Sequence, residues 1–362
     1  MSENEYPLKT TFDISGTLTE TLWFPVDKQT KKSSENNLIF FMIPGNPGVI
    51  DYYTDFLTTI YEENDKLINV IGVSHLGHSH DPHNQTAETL YSLQDQIEHK
   101  IMCFDKLREK FEKEEDMKPK FILAGHSVGG HICKEVWCFY LIRDIRLRNL
   151  DCGTNIPNSI IVKSSNRPID YEMKMFKVFA DLHILKARPN HGIERVYALF
   201  PTLQHILKTP NGAMLSPLLF GEFQRNISAS FIQLIRTSLF PSFFKSLIRL
   251  CTAQSDPYLS ITTDKLLHGH IVKNALYMAS SEMESITELE EEFYRNNLNK
   301  FVFYFSGGDR WAPLSHYEDM VQRYPEGKVL LCDQGIPHSF VLGYGEIMGK
   351  KVSNWIKDMK DN

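Results

Sequence analysis

An α/β fold is predicted: a mostly parallel central sheet flanked by helices, with a helical cap inserted before the penultimate strand. Three observations predict it. Short apolar runs alternate with segments of helical length, the pattern of strand–helix–strand units. A G-x-S-x-G turn, Gly125-His126-Ser127-Val128-Gly129, stands between one such run (120–124) and a helical segment (131–142). Asp309 and His338 each follow a later apolar run, so the chain order is Ser, Asp, His. Strand, G-x-S-x-G and helix make the nucleophile elbow of an α/β-hydrolase, and Ser–acid–His is that fold's order of catalytic residues.

Composition narrows the class further. The 362 residues suit one large domain with an insertion, or two domains. A hydrophobic content of 42% supplies an ample core, and a net charge of −6 argues against nucleic acid as a partner. The six cysteines (Cys103, Cys133, Cys138, Cys152, Cys251, Cys332) form no C-x-x-C pair and read as reduced, mostly buried thiols of an intracellular protein. The polar, acidic start, Met1 to Pro7, does not have the form of a signal peptide. No apolar run reaches the ~18 residues expected of a membrane span.

In order along the chain, residues 11–26 hold two short alternating segments and predict an antiparallel edge hairpin. Residues 38–43, all apolar, predict a strand buried on both faces. Residues 49–64 predict a helix, 67–73 a strand, and 86–116 a long helix with one apolar stripe from Leu90 to Phe111. His75, His78, His80 and His83 fall in the loop between the last two. They invite a metal reading, but no cysteine joins them and a serine hydrolase needs no metal, so solvated loop histidines are expected. Residues 195–200 predict the strand after the elbow helix, in competition with 159–163, and 144–194 reads as an insertion holding a helix over 170–186.

The core's first part thus covers 1–203 and its second part 300–362. Residues 204–299 between them form the helical, apolar cap, ending in an acidic helix over 285–299. Two placements suit the cap's greasy residues: packed beneath it, or exposed on a lipid surface with Arg225, Arg236, Lys245 and Arg249 at the headgroups. Pro217 and Pro241 interrupt any long amphipathic helix there. Residues 301–305 and 328–332 predict the last strands and 350–359 the closing helix.

Each chemical role has a candidate. A serine hydroxyl is a weak nucleophile at neutral pH and needs a base. His338 would take the Ser127 proton and return it to the leaving alcohol, and Asp309 would hold the imidazole tautomer. Asp256, in the cap, and Asp333, on the histidine's own strand, are competing acids. His131 and His126 lie too near Ser127 in sequence to reach back, and His126 is expected to shape the pocket. Gly125 and Gly129 leave room for the sharp turn. The loop Pro44-Gly45-Asn46-Pro47-Gly48 follows the first buried strand, where this fold takes one oxyanion amide. That amide would be Asn46 or Gly45, since Pro47 has no N–H, and Val128 would supply the second. No metal and no cofactor is implied.

These residues resemble those of the lipid droplet-associated hydrolase family. Ile43 to Gly48 with Tyr52, Tyr53 and Phe56 is similar to the family's I-P-G-N-P-G…F-Y-x-x-F. Residues 93–100 with Phe104 are similar to its L-x-x-Q-I-x-H-K helix, and the elbow to its G-H-S-I-G. Leu199 to Thr202 with Thr209 to Gly212 resembles its entry into the cap. Tyr324 to Gly327, Cys332 and Ile336 to His338 with Phe340 resemble its C-terminal histidine region. The resemblance runs from about residue 38 to 355 and is that of a fungal-type member, longer than animal ones over 144–194. It implies a serine esterase or lipase acting on lipid esters (triacylglycerol, sterol ester or short acyl ester). It also implies residence on the cytosolic face of lipid droplets, with the endoplasmic reticulum as a second location. The alternatives left open are a droplet-associated interaction protein with vestigial activity and an acyltransferase using the same residues.

Overall fold

The computed structural model describes residues 6–14, 16–26, 37–79, 89–114, 118–151 and 192–361. Its strands are β1 (Leu8–Ile14), β2 (Thr17–Phe24), β3 (Leu38–Ile43), β4 (Asn69–Val73), β5 (Lys120–His126), β6 (Ile193–Leu199), β7 (Phe301–Ser306) and β8 (Lys328–Cys332). They form one sheet in the order β1-β2-β4-β3-β5-β6-β7-β8. The β1–β2 hairpin is antiparallel and lies at one edge; from β4 to β8 every pairing is parallel. The sheet is an α/β-hydrolase sheet, as expected.

Strand β3 shows how a continuous apolar run is used. All six of its side chains are buried. Ile39, Phe41 and Ile43 enter the core on one face, with Ile97, Phe104, Ile132 and Trp137. Leu38, Phe40 and Met42 enter the other, with Phe56, Ile60, Val352 and Ile356. A strand covered by helices on both sides has no solvated face, so alternation disappears from its sequence.

The helices follow the reading with shifted ends. Helix α1 (Thr54–Glu63) is preceded by a 3₁₀ turn (Ile50–Tyr53). Helix α2 (Leu93–Glu114) starts seven residues later than predicted. Ser92 explains the shift: its hydroxyl accepts the Asp95 N–H at 3.2 Å, and the Asp95 carboxylate accepts the Ser92 N–H at 2.6 Å, a reciprocal cap that fixes the start. Helix α3 (Val128–Asp151) begins directly after Ser127. The competing strand at 159–163 and the helix at 170–186 lie outside the described residues.

Between β6 and β7 run α4 (Pro210–Leu219), α5 (Glu222–Ser238), α6 (Pro241–Thr252), α7 (Tyr258–Ile261), a π-helical turn (Thr262–Leu266), α8 (Gly269–Ser285) and α9 (Glu291–Asn297). The acidic helix expected over 285–299 is split. Ile286 and Thr287 instead accept backbone hydrogen bonds from Ile206 and His205, which interrupts the helix. Helices α10 (Leu314–Arg323) and α11 (Gly345–Asp361) complete the chain. Among the described residues no helix is long and apolar enough to cross a membrane.

Candidate active site

The elbow is built by two close approaches. A Cβ on Gly125 would lie 2.1 Å from the Gly129 carbonyl oxygen, and one on Gly129 would lie 2.3 Å from that of Ile43. Neither approach leaves room for a side chain. Ser127 itself has φ of 54°, a left-handed conformation that costs a non-glycine residue about 1 kcal/mol or more. Three backbone bonds hold it there. Ser127 donates to the Leu199 carbonyl at 3.0 Å, and its own carbonyl accepts from Gly130 at 3.0 Å and Thr202 at 3.3 Å.

Three sequence-predicted side chains meet at this turn. His338 Nε2 lies 3.0 Å from Ser127 Oγ, and His338 Nδ1 lies 2.5 Å from Asp309 Oδ2. Asp309 is buried, and its Oδ1 accepts the Trp311 and Ala312 N–H groups at 2.7 and 2.9 Å. Its carboxylate is therefore aimed as well as placed. The competing acids are elsewhere. Asp256 pairs with Lys245 at 2.9 Å, and Asp333 is exposed, 3.7 Å from Lys351. His131 faces Glu135 at 3.4 Å.

The oxyanion candidates separate. Gly45 donates its N–H to Tyr53 Oη at 2.8 Å, which engages it. Among the described residues the Asn46 and Val128 amides carry no such bond. Asn46's side chain is tied down as well, donating to the Ala275 carbonyl and to Glu282 Oε1, each at 2.9 Å.

His126 has a definite proton arrangement. Burial, with His338 beside it, drives its pKa well below the ordinary imidazole value, so the ring is neutral. Its Nε2 is 2.8 Å from the His338 carbonyl oxygen, which can only accept, so Nε2 carries the hydrogen. Nδ1, 2.7 Å from Tyr53 Oη, then accepts the phenol proton. The phenol oxygen in turn accepts from Gly45. One directed chain runs from the Gly45 amide through Tyr53 and His126 to the loop that carries His338. His126 was expected near the pocket, but the pattern of residues did not reveal this chain, whose bonded partners stand up to 212 residues apart.

A cavity of about 620 Å³ opens at the triad. Ser127, His338 and Asn46 lie at one end, and Leu219, Ile232, Ile248 and Met283 from the β6–β7 helices cover it. Its lining is mostly hydrocarbon. Among its few polar groups is Glu282, buried on α8, whose carboxyl pKa is pushed up to about 8 by burial, against the lowering effect of the Asn46 bond.

Two expectations need correction. His75 and His78 are not solvated; both are wholly buried. They pack under the Pro44–Gly48 loop, where Gly48 donates to His78 Nδ1 at 2.7 Å and His75 donates its backbone N–H to Gly48 at 2.9 Å. Burial therefore depresses both rings' pKa, that of His78 to about 3. His80 and His83 lie outside the described residues, and among those described no metal-holding cluster forms. Of the cap's cations Arg225 and Arg236 are committed inward, whereas Lys245 is half-buried and Arg249 is exposed. Arg225 is buried and donates to Leu219, Arg236 donates to Thr263, Lys245 donates to Ser260 at 2.7 Å, and Arg249 faces Asp256 at 3.6 Å.

The apolar residues of α5 and α6 divide between the two expected placements. Phe223, Ile227, Phe231 and Leu234, at steps of four, four and three, form an exposed stripe on α5; Phe240, just before α6, and Phe243 and Leu250 on it are exposed as well. Ile232 and Ile248 turn inward to the cavity.

Comparison with known proteins shows a family and a fold. The family model described as lipid-droplet associated hydrolase matches residues 36–161 and 178–341. The lipid droplet-associated hydrolase of Mus musculus is 27% identical, over 98% of this chain and 97% of that protein. The one from Dictyostelium discoideum is 25% identical, over 90% of each. Among solved structures, a serine hydrolase from Cycloclasticus zankles superposes with a TM-score of 0.56 at 11% identity, over 98% of this chain and 99% of that one. An epoxide hydrolase from Vigna radiata superposes with a TM-score of 0.55 at 9% identity, over 97% and 98%. At such identities the likeness is one of fold.

Proposed function

The chain belongs to the lipid-droplet associated hydrolase family, and from that membership we propose that it is a serine hydrolase of lipid carboxylic esters that works through an acyl-enzyme at the droplet surface. The observation that carries this reading is the Ser127–His338–Asp309 chain, with links of 3.0 and 2.5 Å, at the end of an apolar cavity.

The acyl chain of an ester enters beneath the α4–α8 cap, and its carbonyl carbon comes to Ser127 Oγ. His338 takes the hydroxyl proton as Oγ attacks, and Asp309 stabilises the imidazolium that results. Charge develops on the carbonyl oxygen, where the Asn46 and Val128 amides receive it; each donor lowers the barrier by roughly 3 kcal/mol. His338 then gives its proton to the leaving alcohol. Water repeats the cycle on the acyl-enzyme, and the fatty acid leaves. No step calls for a metal or an organic cofactor.

The exposed stripe on α5 and α6 suits it to lie on a droplet's surface. An amphipathic pair of helices rests in the headgroup region without spanning it. The cavity lies directly beneath these helices, so a lipid leaving the surface would have a short path to Ser127. The reading is tested by hydrolysis of a chromogenic acyl ester. Ser127→Ala is expected to lower kcat about 10⁴-fold or more, with unchanged melting. Unchanged turnover would remove Ser127 from the reaction.

A further inference from the structure

Glu282 is a carboxyl group in the wrong kind of place. It sits on α8, faces a mostly hydrocarbon cavity shared with Ser127 and His338, and has no cationic partner among the described residues. Its one protein contact is Asn46 Nδ2, 2.9 Å from Oε1; Oε2 has no hydrogen bond among the described residues. Oε2 opens onto the cavity, and a polar atom in a mostly hydrocarbon lining is met by what enters it.

We propose that Glu282 is a positioning and specificity residue of the reaction: its carboxylic acid holds Asn46, and through it the oxyanion amide, and offers an O–H to a second oxygen of the substrate. The proposal rests on the ester-hydrolase reading. The clamp follows from Asn46, whose side chain reaches α8 and whose backbone N–H is the proposed oxyanion donor. The donor follows from the acid's neutral form, because Oε1 is occupied as an acceptor and the proton therefore resides on Oε2. An acylglycerol, with oxygens on neighbouring carbons, can satisfy that donor. A wax or sterol ester has only the oxygens of its reacting ester group and leaves the donor unpaired. Sites built this way discriminate against the analogue that lacks the partner.

Burial alone keeps the acid neutral, to about pH 8. The titratable groups around the same cavity are His126 and His338 from the core loops and Tyr52 and Tyr53 beside the oxyanion loop. Behind that loop lie His75, His78, and His99 and Lys100 from α2. Helix α4 brings no titratable group. Helix α5 brings Glu222 in its first turn, Arg225, which donates to Leu219 and stacks on Tyr277, and Arg236, which donates to Thr263. The turn before α4 brings His205, 3.5 Å from Glu288. Helix α8 itself carries His270, Lys273, Tyr277 and Glu284. None of these charges enters the balance at Glu282, where only burial and Asn46 count. As pH rises through about 8 the acid ionises, the donor is lost, and a negative charge appears beside the forming oxyanion.

The test is kcat/KM against pH for the wild type, Glu282→Gln and Glu282→Met. The substrates are a monoacylglycerol and a simple alkyl ester of the same acyl chain, with infrared spectra of the protein at neutral pH. The wild type is expected to lose about tenfold per pH unit above its break. It should prefer the monoacylglycerol about tenfold or more and show a carboxylic-acid band that Glu282→Gln lacks. Glu282→Gln, neutral at every pH and still a donor, should lose the alkaline fall and keep the preference. Glu282→Met should bring the two esters to within about twofold. An alkaline fall that persists in Glu282→Gln, a preference that survives in Glu282→Met, or a missing acid band each overturns the proposal alone. Absence of turnover in all three proteins overturns the ester-hydrolase reading and this proposal with it, whatever the spectrum shows.

Discussion

Tyr53 connects the two loops on which the proposed reaction depends. Its oxygen accepts the Gly45 amide, and its proton goes to His126, which holds the carbonyl of His338. Tyr53→Phe removes both bonds and adds nothing. It leaves a buried amide and a buried ring nitrogen without partners, at about 1–3 kcal/mol each. Lower denaturation midpoints together with a lower kcat are therefore expected; a midpoint equal to the parent's would show that the chain carries no stability. Asp309 acts differently. In the proposed reaction its carboxylate holds the His338 tautomer whose Nε2 takes the serine proton, and Asp309→Asn presents an amide that can reverse that tautomer. The expected result is a fall of about 10⁴-fold in kcat with intact melting. The triad was legible from sequence because each member stands just past an apolar run in a known order. Tyr53 was legible as a residue of the predicted 49–64 helix and of the motif that carries the resemblance, but its hydrogen bonds were not. Glu282 was hidden among the acidic residues that follow it, since a carboxylate's burial is settled by distant elements, here Asn46, 236 residues away.

Helices α5 and α6 show the same division at the scale of elements. Their apolar content is plain in the sequence, but which face turns outward is set by α8, against which α5 lies closely enough that a Cβ on Gly269 would stand 2.9 Å from the Ala229 carbonyl oxygen. That contact buries Ala229 and leaves Phe223, Ile227, Phe231 and Leu234 outside. Replacing these four by serine should weaken binding to triolein droplets coated with phospholipid by about fivefold for each side chain, at ~1 kcal/mol apiece, with melting unchanged. Binding equal to the parent's would move the droplet contact to another face. The elbow is the second element with a clear prediction. Gly129→Ala places a methyl group against the backbone of β3, where no side chain can yield. A loss of about 3 kcal/mol or more is expected in chemical denaturation, and a variant as stable as the parent would mean that the turn can open.

Across the whole molecule, the parallel strands were legible because burial on both faces turns them into continuous apolar runs, as residues 38–43 illustrate. The loops between them were not. His75 and His78 read as solvated because they follow a strand in a polar, histidine-rich stretch. Yet Asn274 of α8 closes over that loop, where a Cβ on Gly77 would stand 2.6 Å from its side chain. The fold thus converts a surface-like sequence into the buried support of the Pro44–Gly48 loop, and the cavity above it is completed by helices from the far half of the chain. On the reading proposed above, this convergence makes Ser127 a working nucleophile. Reaction of the purified protein with a fluorophosphonate, followed by mass spectrometry of its peptides, tests it most directly. A single adduct on Ser127, lost in Asp309→Asn and His338→Ala, is expected. An unmodified Ser127 in folded protein would contradict it.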